Sequence, residues 1–168
     1  VDVWAWGRGL ESWLVDHRVL EGGPGDPACW QQLTDLLGRT WTHASGQRMT
    51  LARLAIDTGY EAPAVYAWAR RQGFAQVAPV KGVEGFNRAS PVSGPTYVDV
   101  TDGGKRLRRG ARLWTVAVST FKAETYRFLR LARPTEEEMA DGAAFPPGSV
   151  HLPHWVENEW LKQFVAEQ

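Results

Sequence analysis

The chain has 168 residues, enough for one domain with a sizeable core. Its 19 basic and 19 acidic side chains cancel, which argues against a uniformly basic DNA-coating protein but leaves room for a local basic patch. A single cysteine, Cys29, excludes an internal disulfide and a cysteine-built metal site, and fits a reducing compartment. No stretch approaches 18 consecutive apolar residues, so no membrane-spanning helix is expected. Nine tryptophans are many for this length, and most should serve packing. The opening Val1-Asp2-Val3-Trp4 is neither a signal peptide nor a natural start, and the chain reads as a fragment or an excised domain.

In chain order, Val1, Val3 and Ala5 alternate with Asp2, Trp4 and Trp6, the period of a strand. After the turn Gly7-Arg8-Gly9, Ser12 to Leu20 reads as a second strand, giving an antiparallel hairpin. Asp16 and His17 are either ligands or the solvated face of that strand. A glycine-rich loop leads to Asp26-Pro27, an N-cap followed by a proline at the first helical position. The helix it starts carries Trp30, Leu33 and Leu37 on one face and ends at Gly38. Trp41 to Gly46 is polar and turn-like, with His43 on a surface loop.

Met49 to Ile56 is apolar apart from Thr50 and Arg53, as expected of a central strand covered on both faces. It leads into Asp57-Thr58-Gly59, where Gly59 allows a sharp turn and Pro63 suits the first turn of a helix. Asp57 therefore sits where a buried strand emerges, the place at which open α/β sheets hold ligands and chemistry. The alternative is a turn-forming Asp that caps the next helix. That helix runs from about Pro63 to Gln72, with Val65, Trp68 and Ala69 on one face and Gly73 at its end. Val77 to Val80 is a short strand ended by Lys81-Gly82, so strand, helix and strand form a βαβ unit with a parallel pair. Lys81 then leaves the sheet on the same edge as Asp57, either to steady a phosphate or as an ordinary exposed lysine.

Glu84 to Gly110 is the least regular stretch, with Asn87-Arg88 and several prolines and glycines. Lys105, Arg106, Arg108, Arg109 and Arg112 place five basic residues among eight positions. If the partner is nucleic acid, these would contact phosphates without reading sequence. Equally, Asp102-Gly103-Gly104 between Tyr97-Val98 and Arg106-Leu107 looks like a hairpin tip with solvated charges. Leu113 to Ser119 is another apolar strand, running into a helix from about Phe121 to Leu131 that is stopped by Arg133-Pro134. Lys122, at the start of that helix, joins the Asp57 edge if this strand is also parallel. Thr135-x-x-Glu138 is a capping box, Ala143 to Gly148 a loop, and Val150-His151-Leu152 a short strand. Trp155 to Val165 is a final amphipathic helix with Trp160 stacked on Phe164. His151 and His154 lack the spacing of a helical zinc pair and read as structural.

The expected fold is α/β, a ribonuclease H-like mixed sheet in which an antiparallel hairpin precedes parallel βα units flanked by helices. Two strands precede the first helix here, where that layout has three. Asp57 takes the position of its second acid. The chain also resembles the nuclease domain of the large terminase subunit of tailed bacteriophages, in its lambda-type branch. The resemblance rests on Val3-Trp4-Ala5-Trp6-Gly7-Arg8-Gly9 with Glu11-Ser12-Trp13-Leu14-Val15-Asp16, on Ala55-Ile56-Asp57-Thr58-Gly59 with Val65-Tyr66, on Val80-Lys81-Gly82, on Lys122 within Val118-Ser119-Thr120-Phe121-Lys122, and on Val150-His151-Leu152-Pro153. These segments occur in order across nearly the whole chain.

That resemblance implies a single nuclease-like domain over 1–168 and a metal-dependent endonuclease cutting concatemeric double-stranded DNA in the cytoplasm of an infected bacterial host. A separate ATPase domain would lie upstream, and this chain has no Walker motif. Mg²⁺ or Mn²⁺ would be the cofactor, since hard ions prefer oxygen ligands, with two metals roughly 3.5–4 Å apart. Asp57 would be one ligand. Asp2 is a candidate for the first-strand acid, although its place before Trp4 fits the family's second strand better, and the late acid of the family has no match before Gln168. The chain would then lack its first strand and its C-terminal end. Implied partners are double-stranded DNA, the small terminase subunit and the portal protein. Two other readings stay open: another ribonuclease H-like enzyme of transposase, integrase or resolvase type, and a non-catalytic docking module.

Overall fold

The computed structural model describes residues 1–85 and 88–166; of the irregular stretch expected above, Phe86 and Asn87 lie outside them. The elements in order are β1 (Asp2–Trp6), a 3-10 turn (Arg8–Leu10), β2 (Ser12–His17), α1 (Pro27–Leu37), β3 (Thr40–Thr42), β4 (Arg48–Thr50), β5 (Leu54–Asp57), α2 (Ala62–Gln72), β6 (Val77–Val83), β7 (Val92–Asp102), β8 (Lys105–Ala117), α3 (Val118–Leu129), α4 (Glu136–Ala140), β9 (Val150–His151) and α5 (Asn158–Val165). They fall into two compact units: Val1–Val19 with the segment from Glu124 onward, and Leu20–Ala123. The chain is mixed α/β, with parallel and antiparallel ladders and flanking helices.

In the first unit the expected hairpin forms. Trp4 pairs with Leu14 and Ala5 with Trp13, and Val3 and Leu14 are buried as the alternation requires. β9 adds to β2 in parallel, with Ser12 opposite Val150 and Trp13 opposite His151, completing a three-stranded sheet. Trp160 stacks on Phe164 with centroids 4.8 Å apart, and Phe164 stacks on Trp4 at 6.1 Å, so the aromatic stripe of α5 covers β1. α5 begins at Asn158 rather than Trp155 because Glu157 is extended (φ −79°, ψ 152°) and serves as its N-cap. The capping box is present, with Thr135 Oγ1 accepting from the Glu138 N–H and Glu138 accepting from the Thr135 N–H.

In the second unit α1 starts as expected, with the Asp26 carboxylate accepting from the Ala28 N–H at 2.8 Å. Leu33, Leu36 and Leu37 from α1, Leu54, Trp68, Ala69 and Val77 form its core. Trp68 stacks on Trp30 at 5.5 Å, and its indole N–H donates to Thr34 Oγ1 at 3.0 Å, so the ring is buried with its polar atom satisfied.

The long strand expected over Met49–Ile56 is divided. Its first part pairs with β3 as the short hairpin strand β4, which also draws Trp41 out of the expected turn. Only Leu54–Asp57 joins the main sheet. The physical cause lies downstream: the Gln76 side-chain amide donates to the carbonyls of Leu51 (3.1 Å) and Leu37 (3.2 Å), occupying the intervening backbone. Nor is β5 central. The sheet order is β5-β6-β8-β7, so β5 is an edge strand, and the buried middle belongs to β6 and β8, where Val77 and Ala117 have no exposure.

The pair β5–β6 is parallel, as the βαβ pattern predicts, and the pair β6–β8, which the sequence left open, is parallel too. β6 runs on to Val83, so Lys81-Gly82 does not end it. Pro79 is tolerated in this central strand because of register. Leu54 and Thr58 donate to the carbonyls of Gln76 and Val80, so the even-numbered residues face β5. Pro79 faces the other way, one residue before the β8 ladder begins at Val80, and its missing N–H costs no ladder bond. The stretch expected to be irregular is mostly the hairpin β7–β8, turning at Gly103-Gly104 with φ of 57° and 76°. This hairpin, rather than the N-terminal one, supplies the antiparallel part of the four-stranded sheet.

Trp68→Ala should lower the stability of the second unit by about 3–5 kcal/mol, the usual cost of emptying an aromatic site. Thermal and denaturant melts check this; a loss below about 1 kcal/mol would mean that the Trp30–Trp68 contact does not anchor α2.

Candidate functional site

Three parallel strands deliver their residues to one edge of the sheet. Asp57 is opposite Val80, Lys81 is one register step further along β6, and Lys122 lies in the first turns of α3, directly after β8. Asp57 and Lys81 are exposed and Lys122 is half-buried. The expectation that these three residues share an edge holds, because both strand pairs are parallel.

Thr58 fixes the height at which Asp57 emerges. Its backbone N–H and its hydroxyl both donate to the Val80 carbonyl, each at 2.9 Å, and the residue is buried. The Asp57 carboxylate turns back, with Oδ2 accepting from the Gly59 N–H at 3.0 Å. It does not cap α2: the N-cap is Glu61, which is left-handed (φ 50°) and makes no side-chain cap bond. Gly59 is needed for a different reason from the one its sequence suggests. The tight backbone conformation is taken by Glu61, while a Cβ on residue 59 would meet Asp57 Oδ2 at 2.8 Å. Gly82 plays a related part, since a Cβ there would meet Val118 Cγ2 at 2.8 Å, where α3 leaves the sheet.

Among the described residues, no three or more His, Cys, Asp or Glu side chains gather where they could hold a metal ion. Asp57 therefore offers one hard oxygen ligand, and the acids around it do not complete a two-metal cage. Asp2, the other candidate ligand, belongs to the first unit. Its Oδ1 accepts from His17 Nδ1 at 2.7 Å and from the Trp160 indole at 3.0 Å, tying β1 to β2 and α5. His151 is structural, as expected: it stacks on Trp13 at 5.0 Å, meets the edge of Phe145 at 4.6 Å and bonds Glu11 at 2.8 Å.

The basic cluster lies along β8, and its members are not equivalent. Between the pairs Val98–Ala111 and Val100–Leu107, one residue, Asp99, stands opposite Arg108, Arg109 and Gly110. Arg109 is left-handed there (φ 52°). Asp99 Oδ1 accepts from the Arg109 N–H at 2.9 Å, and Oδ2 accepts from the Arg106 guanidinium at 2.9 and 3.2 Å. The backbone N–H of Arg109 first, and then the Arg106 side chain, hold the Asp99 carboxyl below the ordinary aspartate range. Arg109 and Arg112 instead lie over the half-exposed Tyr97 ring, at 5.0 and 5.9 Å from its centroid. Lys105 and Arg108 are exposed. Sequence reasoning missed Asp99 and Tyr97. Counting strand residues outward from the Gly103-Gly104 turn sets Val98 opposite Arg109, whereas the observed register sets it opposite Ala111, so the bulge is not visible in the count.

The architecture is that of an α/β domain with a carboxylate presented at the exit edge of parallel strands and a basic hairpin on the same sheet. The family described as terminase large subunit gpA, endonuclease domain, matches residues 1–168, and the chain belongs to that family. It is 29% identical over 153 residues to the terminase large subunit of Escherichia phage lambda, covering 90% of this chain and 21% of that protein. It is 27% identical over 168 residues to the terminase large subunit of Enterobacteria phage P21, covering 99% of this chain and 24% of that protein. The chain thus spans about a quarter or less of the length of these relatives. No solved structure matches it. Among the described residues, no helix is long and apolar enough to cross a membrane.

The Asp99 carboxyl should titrate below ordinary aspartates in a carbon-detected NMR titration, and the Arg109 amide shift should follow the same midpoint. The carboxylate–Arg109 bond is present above that midpoint and lost as pH falls through it. An Asp99 midpoint in the ordinary range, or an Arg109 amide blind to it, would contradict the bulge geometry.

Proposed function

We propose that this chain is a metal-dependent DNA endonuclease domain of a viral genome-packaging terminase, cleaving concatemeric double-stranded DNA, with Asp57 at its active site. The observation that carries this reading is the Asp57 carboxylate, held at the exit edge of parallel strands by Thr58 and Gly59 in a chain of the terminase endonuclease family. A ribonuclease H-like arrangement of the catalytic sheet goes with it, as does action in the cytoplasm of an infected host.

Mg²⁺ or Mn²⁺ would supply activation of water and stabilisation of the leaving oxygen, and a two-metal site would need oxygen ligands beyond Asp57. What the described residues contribute is narrower. Asp57 offers one oxygen ligand at a fixed height, and Lys81 and Lys122 bring positive charge to the same edge for the scissile phosphate. Lys105, Arg106, Arg108, Arg109 and Arg112 give the hairpin a charge that suits the DNA backbone. The small terminase subunit and the portal protein are the proposed protein partners. A second reading, a non-catalytic docking domain of the packaging motor, draws on the absence of a three-ligand cluster among the described residues.

Cleavage of supercoiled plasmid with Mg²⁺ or Mn²⁺ tests the choice. The wild-type chain should nick and linearise DNA, and Asp57→Ala should abolish the reaction without changing the melting temperature. Gly59→Ala should cost about 100-fold through misplacement of the carboxylate alone. Undiminished cleavage by Asp57→Ala would remove Asp57 from the site, and metal-independent failure of the wild type to cut DNA that it binds would favour the docking reading.

A further inference from the structure

The five basic residues of β8 share a strand but not a chemical state. Arg106 gives its guanidinium to Asp99 across two hydrogen bonds, so much of its charge is already answered. Arg109 and Arg112 have no carboxylate within ion-pair distance among the described residues; each is steadied by the Tyr97 ring. An aromatic face holds a guanidinium without using its N–H donors, which stay available for a phosphate. Arg112 lies directly across the ladder from Tyr97, and the bulge brings Arg109 back over the same ring. Arg112 also lies 5.8 Å from the Phe74 ring centroid. The bulge itself is pinned from two sides. Asp99 takes the Arg109 N–H, and Arg70 donates to the Gly110 carbonyl at 3.0 Å. A Cβ on Gly110 would press Leu107 and Val100 at 3.1 Å, so that position accepts little else.

We propose that Arg109, Tyr97 and Arg112 form the phosphodiester-binding element of the hairpin, with Asp99 as the residue that positions Arg109. The element rests on the DNA-acting reading above and divides the basic cluster within it: Arg109 and Arg112 grip the backbone, Tyr97 organises them, and Arg106 serves the bulge. It also gives a negatively charged residue a favourable part in binding a polyanion. Asp99 repels phosphate through space but holds the bulge that presents Arg109.

Binding of the full chain to a short duplex of arbitrary sequence, followed by fluorescence anisotropy across a salt series, separates these effects. Arg109→Ala and Arg112→Ala should each lower the magnitude of the slope of log K against log salt by about 0.9, one phosphate each, whereas Arg106→Ala should leave the slope nearly unchanged. Tyr97→Ala should weaken binding although it removes no charge, and Tyr97→Phe should restore it. Asp99→Asn and Asp99→Ala change charge equally, but only Asn keeps an acceptor for the Arg109 N–H. The Ala variant should therefore bind about five-fold more weakly than the Asn variant, one backbone hydrogen bond's worth. Equal affinity of the two Asp99 variants, or wild-type affinity in Tyr97→Ala, would overturn the element while salt-dependent wild-type binding left the DNA-acting reading standing. A wild-type chain with no affinity for duplex would overturn both.

Discussion

The carbonyl of Val80 accepts two hydrogen bonds from one residue, the backbone N–H and the hydroxyl of Thr58. A carbonyl has two lone pairs, and here both are spent on closing the end of the β5–β6 ladder. β5 is short and lies on the edge of the sheet, where a strand end frays most readily. The second bond matters there, because the next residue back along the strand is Asp57. With Thr58 pinned, the carboxylate has little freedom left, and Gly59 removes most of the rest by donating its N–H and leaving no Cβ in the way.

The same sheet explains why the cations gather where they do. Parallel strands send their C-terminal ends to one edge, and β6 and β8 run parallel to β5, so Lys81 and Lys122 follow Asp57 to it. Antiparallel β7 instead extends the sheet sideways and carries the basic hairpin. Positioning and charge are thus supplied by separate parts of one unit: rigid parallel strands hold the carboxylate, and a long hairpin displays the arginines.

What was legible in the sequence was local. The Asp26-Pro27 start, the Gly38 and Gly73 stops, the capping box at Thr135 and the parallel pair around α2 are all written within a few residues of where they act. What was not legible depends on distant partners. Met49–Ile56 reads as one apolar strand, and only the Gln76 amide, reaching back from the turn after α2, reveals why it is broken. Asp57 was found from its place after an apolar run, whereas the role of Gly59 is set by a side chain rather than a backbone angle, which no pattern of residue types encodes. The basic cluster was visible as charge. Its division into an arginine bonded to Asp99 and two over Tyr97 goes with a strand register that places Asp99 opposite Arg108 to Gly110. The family resemblance read from ordered segments agrees with the family match over the whole chain.

The most direct test of Asp57 as an active-site carboxylate is an anomalous difference map from crystals of this chain soaked in Mn²⁺. A peak on the Asp57 carboxylate is the predicted result, and any further oxygen ligand around it would be identified by the same map. An ordered Asp57 with no peak at saturating Mn²⁺ would contradict its assignment as a metal ligand of this domain.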